Sequence, residues 1–313
     1  MLHYVGRRIL ATIPVMGVVA VVVFGLLHLS PGDPAAVIAG DQATLEEVAK
    51  VRERLGLNRP LAVQFGTWVS GLLRGDLGVS IYDNQPVARM IGQRLEPTIA
   101  LALCTLLVAL CAAIPMGVVA AWKAGTWIDR GIMGFAVLGL SFPVFVIGYG
   151  MIWLLSLRLE LLPVQGYASI REGLGAFLAH MVMPALALGW VLTALFARMT
   201  RTSMLEVLGQ DYIRTARAKG LPNTAVLFRH ALKNAAVPIV TTVGIGIALL
   251  IGGVVVTETV FAIPGVGLLT VDAILRRDYP VIQGVVLVFS AVYVLINLAI
   301  DLSYTFLDPR IRY

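Results

Sequence analysis

Thr98 to Trp122 reads TIALALCTLLVALCAAIPMGVVAAW, 25 consecutive residues without Asp, Glu, Lys or Arg. At about 1.5 Å rise per residue, a helix of that length crosses the roughly 30 Å hydrocarbon core of a bilayer. Five further stretches lack charge in the same way: Ile9 to Leu29, Gly131 to Leu157, Phe177 to Ala197, Ala235 to Thr257 and Val281 to Ile300. All 24 basic and 18 acidic residues therefore sit in the segments between them, although the chain as a whole is 58% apolar and only 13% charged. Lipid leaves no water to satisfy backbone amides, so a spanning segment is a helix or part of a closed barrel. Unbroken apolar runs lack the polar alternation of barrel strands. The expected fold is an all-α integral membrane protein with six transmembrane helices, which excludes a soluble enzyme and a porin.

The basic residues set the orientation. With the N-terminus cytoplasmic, the inside segments 1–8, 123–130, 198–234 and 301–313 hold 13 of the 24 basic residues and 5 of the 18 acidic ones. This distribution obeys the positive-inside rule and places both termini in the cytoplasm. The net charge of +6 is thus a topology signal that attracts anionic lipid, and nucleic acid is not an expected partner. Arg7 and Arg8 precede an apolar run of 21 residues, longer than a typical signal-peptide core, so an uncleaved first span is expected. Cys104 and Cys111 lie seven apart in one span, about 10.5 Å along its axis, too far for a disulfide. The expected organisation is a tail and first span (1–29), an external loop (30–97), a membrane core (98–302) containing a cytoplasmic segment (198–234), and a cytoplasmic tail (303–313).

The external loop is long enough to fold. Thr44-Leu45-Glu46-Glu47 forms a capping box, and the helix it opens passes Val48, Val51 and Arg52 to Leu55 before stopping at Gly56. Leu61, Phe65, Trp68 and Leu72 then mark one stripe of a second helix, either a cap packed on the chain's own spans or a docking surface for an external partner. The candidate external docking residues are Trp68, Asp76, Pro264 and Gly265.

The segment 198–234 carries the most information. Ser203 to Glu206 has the capping-box pattern, so a helix is expected to begin at Met204. Leu205, Leu208, Tyr212 and Ala216 gather on one of its faces, and Glu206, Gln210, Arg214 and Arg217 on another. Gly220 suits a left-handed cap, and Leu221-Pro222 prevents continuation. Asn223 or Thr224 then opens a second helix through Val226, Leu227, His230 and Ala231 into the fifth span. An amphipathic basic helix can lie flat in lipid headgroups. The Gly-Leu-Pro corner argues instead for a hairpin that projects from the membrane.

Catalytic and energy-coupling motifs are missing. The sequence has no GxxxxGK[ST] phosphate loop, no HExxH and no clustered Cys and His for a metal. Without ionised residues in the spans, a proton relay has nothing to work with. The candidates for a translocation path are Ser141, Pro143, His180 and Asn297, and for His180 and Asn297 an interhelical hydrogen bond is the plainer reading. Pro184, Gly244, Gly246, Gly252 and Gly253 mark bends or close-packing points. Two other functions compete with transport. An intramembrane enzyme would need Ser141 to be activated by a base that no sequence argument supplies, and a stand-alone channel would have no use for the cytoplasmic hairpin.

The run Asp211-Tyr-Ile-Arg-Thr-Ala-Arg-Ala-Lys-Gly220-Leu221, followed by Arg229 to Asn234 and Pro238, resembles the cytoplasmic EAA loop of binding-protein-dependent ABC transporter permeases. Further matches are Pro31-Gly-Asp-Pro34, Leu55-Gly-Leu57 with Pro60, Gly75-Asp-Leu-Gly78 with Ser80, and Pro86-Val87. ETVFAIPGVG (Glu258 to Gly267), Arg277 to Gln283 and the tail Asp308 to Tyr313 complete the pattern, which is similar to the dipeptide, oligopeptide and nickel branch and to the first of its two permease subunits. Arg214-Thr215-Ala216 stands where the general family has Glu-Ala-Ala, a feature of that branch.

The resemblance implies a type I importer fold in the bacterial or archaeal cytoplasmic membrane. The implied partners are a paralogous permease subunit, two ATPase subunits that bind ATP and Mg, and an external solute-binding protein; this chain itself would carry no cofactor. It also implies that Asp211, Arg214, Thr215, Ala216, Arg217, Lys219, Gly220 and Leu221 face the ATPase. Selection of the solute would rest mainly with the external receptor.

Overall fold

The computed structural model describes residues 2–29, 34–39, 44–54 and 56–307. Pro31 to Asp33, Leu55 and the tail Asp308 to Tyr313 lie outside the described residues. Among those described the chain is helical: α1 (Leu2–Leu29), α2 (Pro34–Ala39), α3 (Leu45–Arg54), α4 (Leu61–Leu73), α5 (Val87–Trp122), α6 (Trp127–Ser141), α7 (Val144–Met151), α8 (Leu174–Leu208), α9 (Asp211–Ala218), α10 (Leu232–Val260), α11 (Val266–Arg276) and α12 (Tyr279–Leu307). π-helical turns extend α7 over Ile152–Arg158 and precede α10 over Ala225–Ala231.

Val87–Trp122, Leu174–Leu208, Ala225–Val260 and Tyr279–Ile300 are each long and apolar enough to cross a membrane. α1 has 28 residues, with a shorter apolar stretch from Leu10 to Gly25. The third charge-free stretch departs from the expectation of one straight span. It breaks into α6 and the α7 arm, which meet at 101°. Pro143 explains the break: it has no N–H to continue the ladder, and it pushes the residue before it out of the helical region. Phe142 accordingly sits at φ −92°, ψ 128°. α6 alone, at 15 residues, reaches only about 22 Å.

The described residues fall into two compact units. The first comprises 1–95 and 269–295. In it the Thr44 capping box forms as expected: Thr44 N–H donates to Glu47 Oε2 (2.8 Å) and Glu47 N–H to Thr44 Oγ1 (3.3 Å). The Thr44 N–H, and its hydroxyl at 3.0 Å, both donate to the Glu47 carboxylate and hold it below the usual carboxylate range. α3 then ends at Gly56, which has φ +67°. Two of the family-like motifs meet in this unit, since Ser80 Oγ donates to Asp278 Oδ2 at 2.5 Å, both residues being buried. Gln283 Nε2 donates to the Val23 carbonyl at 3.1 Å and ties α12 to α1.

The second unit comprises 96–268 and 296–313. α8 is its centre: 56% of its most apolar stretch is buried, against 22% in α5 and 33% in the helix ending at Val260. Glycines let α10 approach it. A Cβ on Gly246 would fall about 2.4 Å from the Phe196 ring, and one on Gly253 about 2.6 Å from Leu188. Gly244 meets Ile300 of α12 in the same way, whereas Gly252 faces open space. Three of the four glycines are thus close-packing points, the outcome expected where apolar driving force is weak and contact area carries association.

Candidate functional site: the corner after α9 and its supports

The expected start of a helix at Met204 is corrected by the structure. α8 runs unbroken to Leu208, with Ser203 and Met204 buried inside it. A capping box operates only where the preceding chain is not helical, and here the amides near Ser203 are already satisfied by α8. The break comes at Gly209 and Gln210, the latter extended at φ −75°, ψ 149°, and α9 follows. That break resets the helical phase. The buried face of α9 is Ile213 and Ala216, while Tyr212 is 44% exposed. Partial burial raises the Tyr212 phenol above its ordinary pKa.

Ile213 and Ala216 pack in one apolar cluster with Val118 and Ala121 of α5, Met204 of α8, Val226 and Leu227 of the π-helical turn, and Ala235 and Ile239 of α10. The apolar face of α9 is therefore covered by protein, and little is left to sink into lipid. Asp211, Arg214, Thr215, Arg217 and Lys219 are exposed. Arg214 Nη1 lies 3.2 Å from Asp211 Oδ1, an exposed pair that contributes little stability and leaves the guanidinium available to a partner.

The corner forms as the sequence predicts. Gly220 has φ +78°, its N–H donates to the Arg217 carbonyl (2.9 Å), and the Leu221 N–H donates to Ala216 (3.4 Å). This pair of bonds is a Schellman motif. The next helix starts at Asn223, with the Val226 N–H bonded to the Pro222 carbonyl at 3.1 Å.

Ser141 Oγ donates to Val137 within its own helix (2.8 Å), and Pro143 makes the bend. His180 Nδ1 pairs with the Ala176 carbonyl at 2.9 Å, again one turn away, and Asn297 is half-buried. Trp68 is half-buried and packs on Phe24 of α1, ring centroids 5.7 Å apart. Asp76 Oδ1 accepts the Gly78 N–H (2.9 Å) in a local turn. Pro264 is exposed and Gly265 is buried.

Gly265 leads to a residue that the hydropathy reading passed over. Glu258 ends α10 fully buried; its carboxylate accepts the Thr98 hydroxyl (2.6 Å) and the Leu268 N–H (3.0 Å), and Thr98 Oγ1 in turn accepts the Val266 N–H (2.8 Å). A Cβ on Gly265 would overlap that carboxylate, and one on Gly267 would come within 2.8 Å of it. ETVFAIPGVG is therefore a loop folded around its own first residue, with glycines where the carboxylate needs room. Asp129 and Arg201 form a second pairing without a local signal.

Comparison with known proteins accords with this geometry. The family described as "Binding-protein-dependent transport system inner membrane component" matches residues 113–313, and "Binding-prot-dependent transport system membrane comp, N-term" matches residues 1–102. The chain belongs to this family. Relatives match this permease along its whole length. It is 53% identical over 310 residues to "Probable peptide ABC transporter permease protein y4tP" of Sinorhizobium fredii, covering 99% of each chain. It is 41% identical over 333 residues to "Dipeptide transport system permease protein DppB" of Alkalihalophilus pseudofirmus, and 43% identical over 313 residues to "Glutathione transport system permease protein GsiC" of Salmonella choleraesuis, with 100% of each chain covered. Among solved structures, a chain of the MetNI methionine ABC transporter in an inward-facing conformation matches with TM-score 0.58 and 18% identity, over 70% of this permease and 96% of that chain, which shows a shared fold. The permease is a multi-pass inner-membrane protein with the all-helical fold of type I importers.

Proposed function

We propose that this permease subunit forms half of the translocation pathway of an importer for peptides or similar small solutes, with six spans and both termini cytoplasmic. A paralogous permease subunit supplies the other half. Two ATPase subunits bind ATP and Mg and perform the hydrolysis, and this subunit supplies none. An external binding protein delivers the solute. The observation that carries this reading is α9: its apolar face is consumed internally, its charged face is exposed, and a Schellman corner fixes the direction of the chain beyond it. A stiff element continuous at one end with α8 and at the other with α10 suits the transmission of a rigid displacement.

Pull-down of this chain in mild detergent tests the reading directly, with an ATP-hydrolysing partner as the expected co-purifying protein. Arg214→Glu reverses one exposed charge on the docking face and is expected to weaken that association most at low salt, since such contacts are screened over about 8 Å at physiological ionic strength. Equal recovery of the ATPase at low and high salt would remove Arg214 from the interface. A receptor of different ligand specificity, fitted to the same permease pair, is expected to redirect uptake. A receptor that docks and stimulates hydrolysis while its ligand is never carried would show that the pore itself selects.

A further inference from the structure

We propose that Asp129 and Arg201 are positioning residues, a clamp that makes α6 move with α8 and so carries the displacement of α9 to the bend at Pro143. This rests on the reading of α9 as the ATPase-facing element. The geometry begins with a fork: Arg201 Nε lies 2.5 Å from Asp129 Oδ1 and Arg201 Nη2 lies 2.7 Å from Oδ2, while the Gly125 N–H adds a third bond to Oδ2 at 2.9 Å. Asp129 is almost wholly buried in the first turn of α6. Two parallel charge-assisted bonds fix distance and orientation together, which a single point contact does not.

The placement gives the pair its role. Arg201 stands eight residues before Gly209, about 12 Å up α8 from the break where α9 begins. The covalent route from Asp129 to α8 runs the long way, through the bend, the α7 arm and the loop to Gly173. The clamp is a direct connection between the two helices. Farther along the same antiparallel contact, Phe135 meets Trp190 with ring centroids 4.2 Å apart, and a Cβ on Gly139 would fall about 2.7 Å from the Ala194 methyl. α6 is thus fastened to α8 at its end and along its length. The α7 arm bridges two helices: Ser156 Oγ lies 3.6 Å from Met183 Sδ of α8, and Gly148 packs on Val260 and Phe261 at the end of α10. One arm of the broken stretch is thus tied to α8, the other is shared between α8 and α10, and Pro143 lies between them. When α8 and α10 shift against each other, α6 follows α8 through the clamp while the α10 contact draws on the α7 arm, and the angle at Pro143 takes up the difference.

The test uses the full importer reconstituted in vesicles, with subunit retention, ATP hydrolysis and solute uptake measured side by side for Arg201→Ala, Arg201→Lys and the exchange Asp129→Arg/Arg201→Asp. Arg201→Ala is expected to retain its partners and most of its hydrolysis while uptake per ATP falls about tenfold, within the range known for substitutions in coupling networks. The exchanged pair restores a large part of that ratio, and Arg201→Lys, which keeps charge without the fork, falls between. Should Arg201→Ala fail to accumulate, Arg201→Lys carries the same test. Hydrolysis and uptake that fall in proportion, or an uptake-per-ATP ratio equal to wild type, would overturn the clamp. Gly220→Val in the same assay separates the two claims: it stays uncoupled if only the clamp fails, and couples normally if the reading of α9 fails.

Discussion

Gly220→Val is expected to yield a subunit that inserts normally but loses its ATPase partner or hydrolyses ATP without moving solute. A Cβ at position 220 meets nothing within 4 Å, so crowding plays no part in this effect. The strain lies in the backbone, because φ +78° is a conformation that costs an L-residue roughly 1–2 kcal/mol, and β-branched side chains tolerate it worst. Relief requires the last turn of α9 to unwind, giving up the Leu221 to Ala216 and Gly220 to Arg217 bonds and turning the exposed Arg217 and Lys219 away from their present direction. A penalty of that size corresponds to about 5- to 30-fold in the population of the intact corner. Gly220→Asn is the informative control, since asparagine enters the left-handed region more readily, and Gly220→Ala lies between the two. Reconstituted uptake per ATP measures the effect; a wild-type ratio for Gly220→Val would show that the corner does not couple.

Gly265→Ala acts at the opposite end of α10, and the damage runs through another residue. The added methyl meets the Glu258 carboxyl at a separation no real contact allows, while Glu258 itself lies at the end of a side chain that can swing away. Swinging away abandons the Thr98 hydroxyl and the Leu268 N–H in a buried site, at a cost of about 1–3 kcal/mol for each donor left unmet. Glu258→Ala abandons the same donors by a different route. The two substitutions are therefore expected to lower the thermal inactivation temperature of the purified importer by similar amounts. The double variant is expected to be little worse than either single one, as residues of one network are not additive. Losses that simply add would mean that Gly265 matters for a reason unconnected with Glu258, and full stability in both single variants would remove the carboxylate from the account.

These two sites differ in how readily the sequence discloses them. Gly220 announces itself, because a glycine followed by Leu-Pro after an amphipathic run has few uses other than a left-handed cap, and the same logic locates Gly56 and the Thr44 capping box. The spans are legible because lipid imposes one rule on every residue within them. The start of α9 is not legible: Ser203 to Glu206 carries a valid local pattern, but a local pattern cannot register that α8 is already under way through it. The same blind spot misassigns the buried face to Tyr212 where Ile213 holds it, since helical phase was carried across the break at Gly209 and Gln210. Glu258 with Thr98, Asp129 with Arg201 and Ser80 with Asp278 are pairings 160, 72 and 198 residues apart, and no periodicity links residues at such separations. Pro143 shows a partial case: its chemistry marks a bend, but an angle of 101° follows from what each arm is packed against.

The central claim, that the exposed face of α9 seats on the ATPase, is tested most directly by cysteine cross-linking along that helix in the assembled importer. With Cys104 and Cys111 first replaced, single cysteines are placed by Arg214→Cys and Arg217→Cys on the exposed face and by Ile213→Cys on the buried one. Cross-links from 214 and 217 to the ATPase subunit, with none from 213, are the predicted result. Lipid adducts at 214 and 217 in a complex that still retains its ATPase would contradict it.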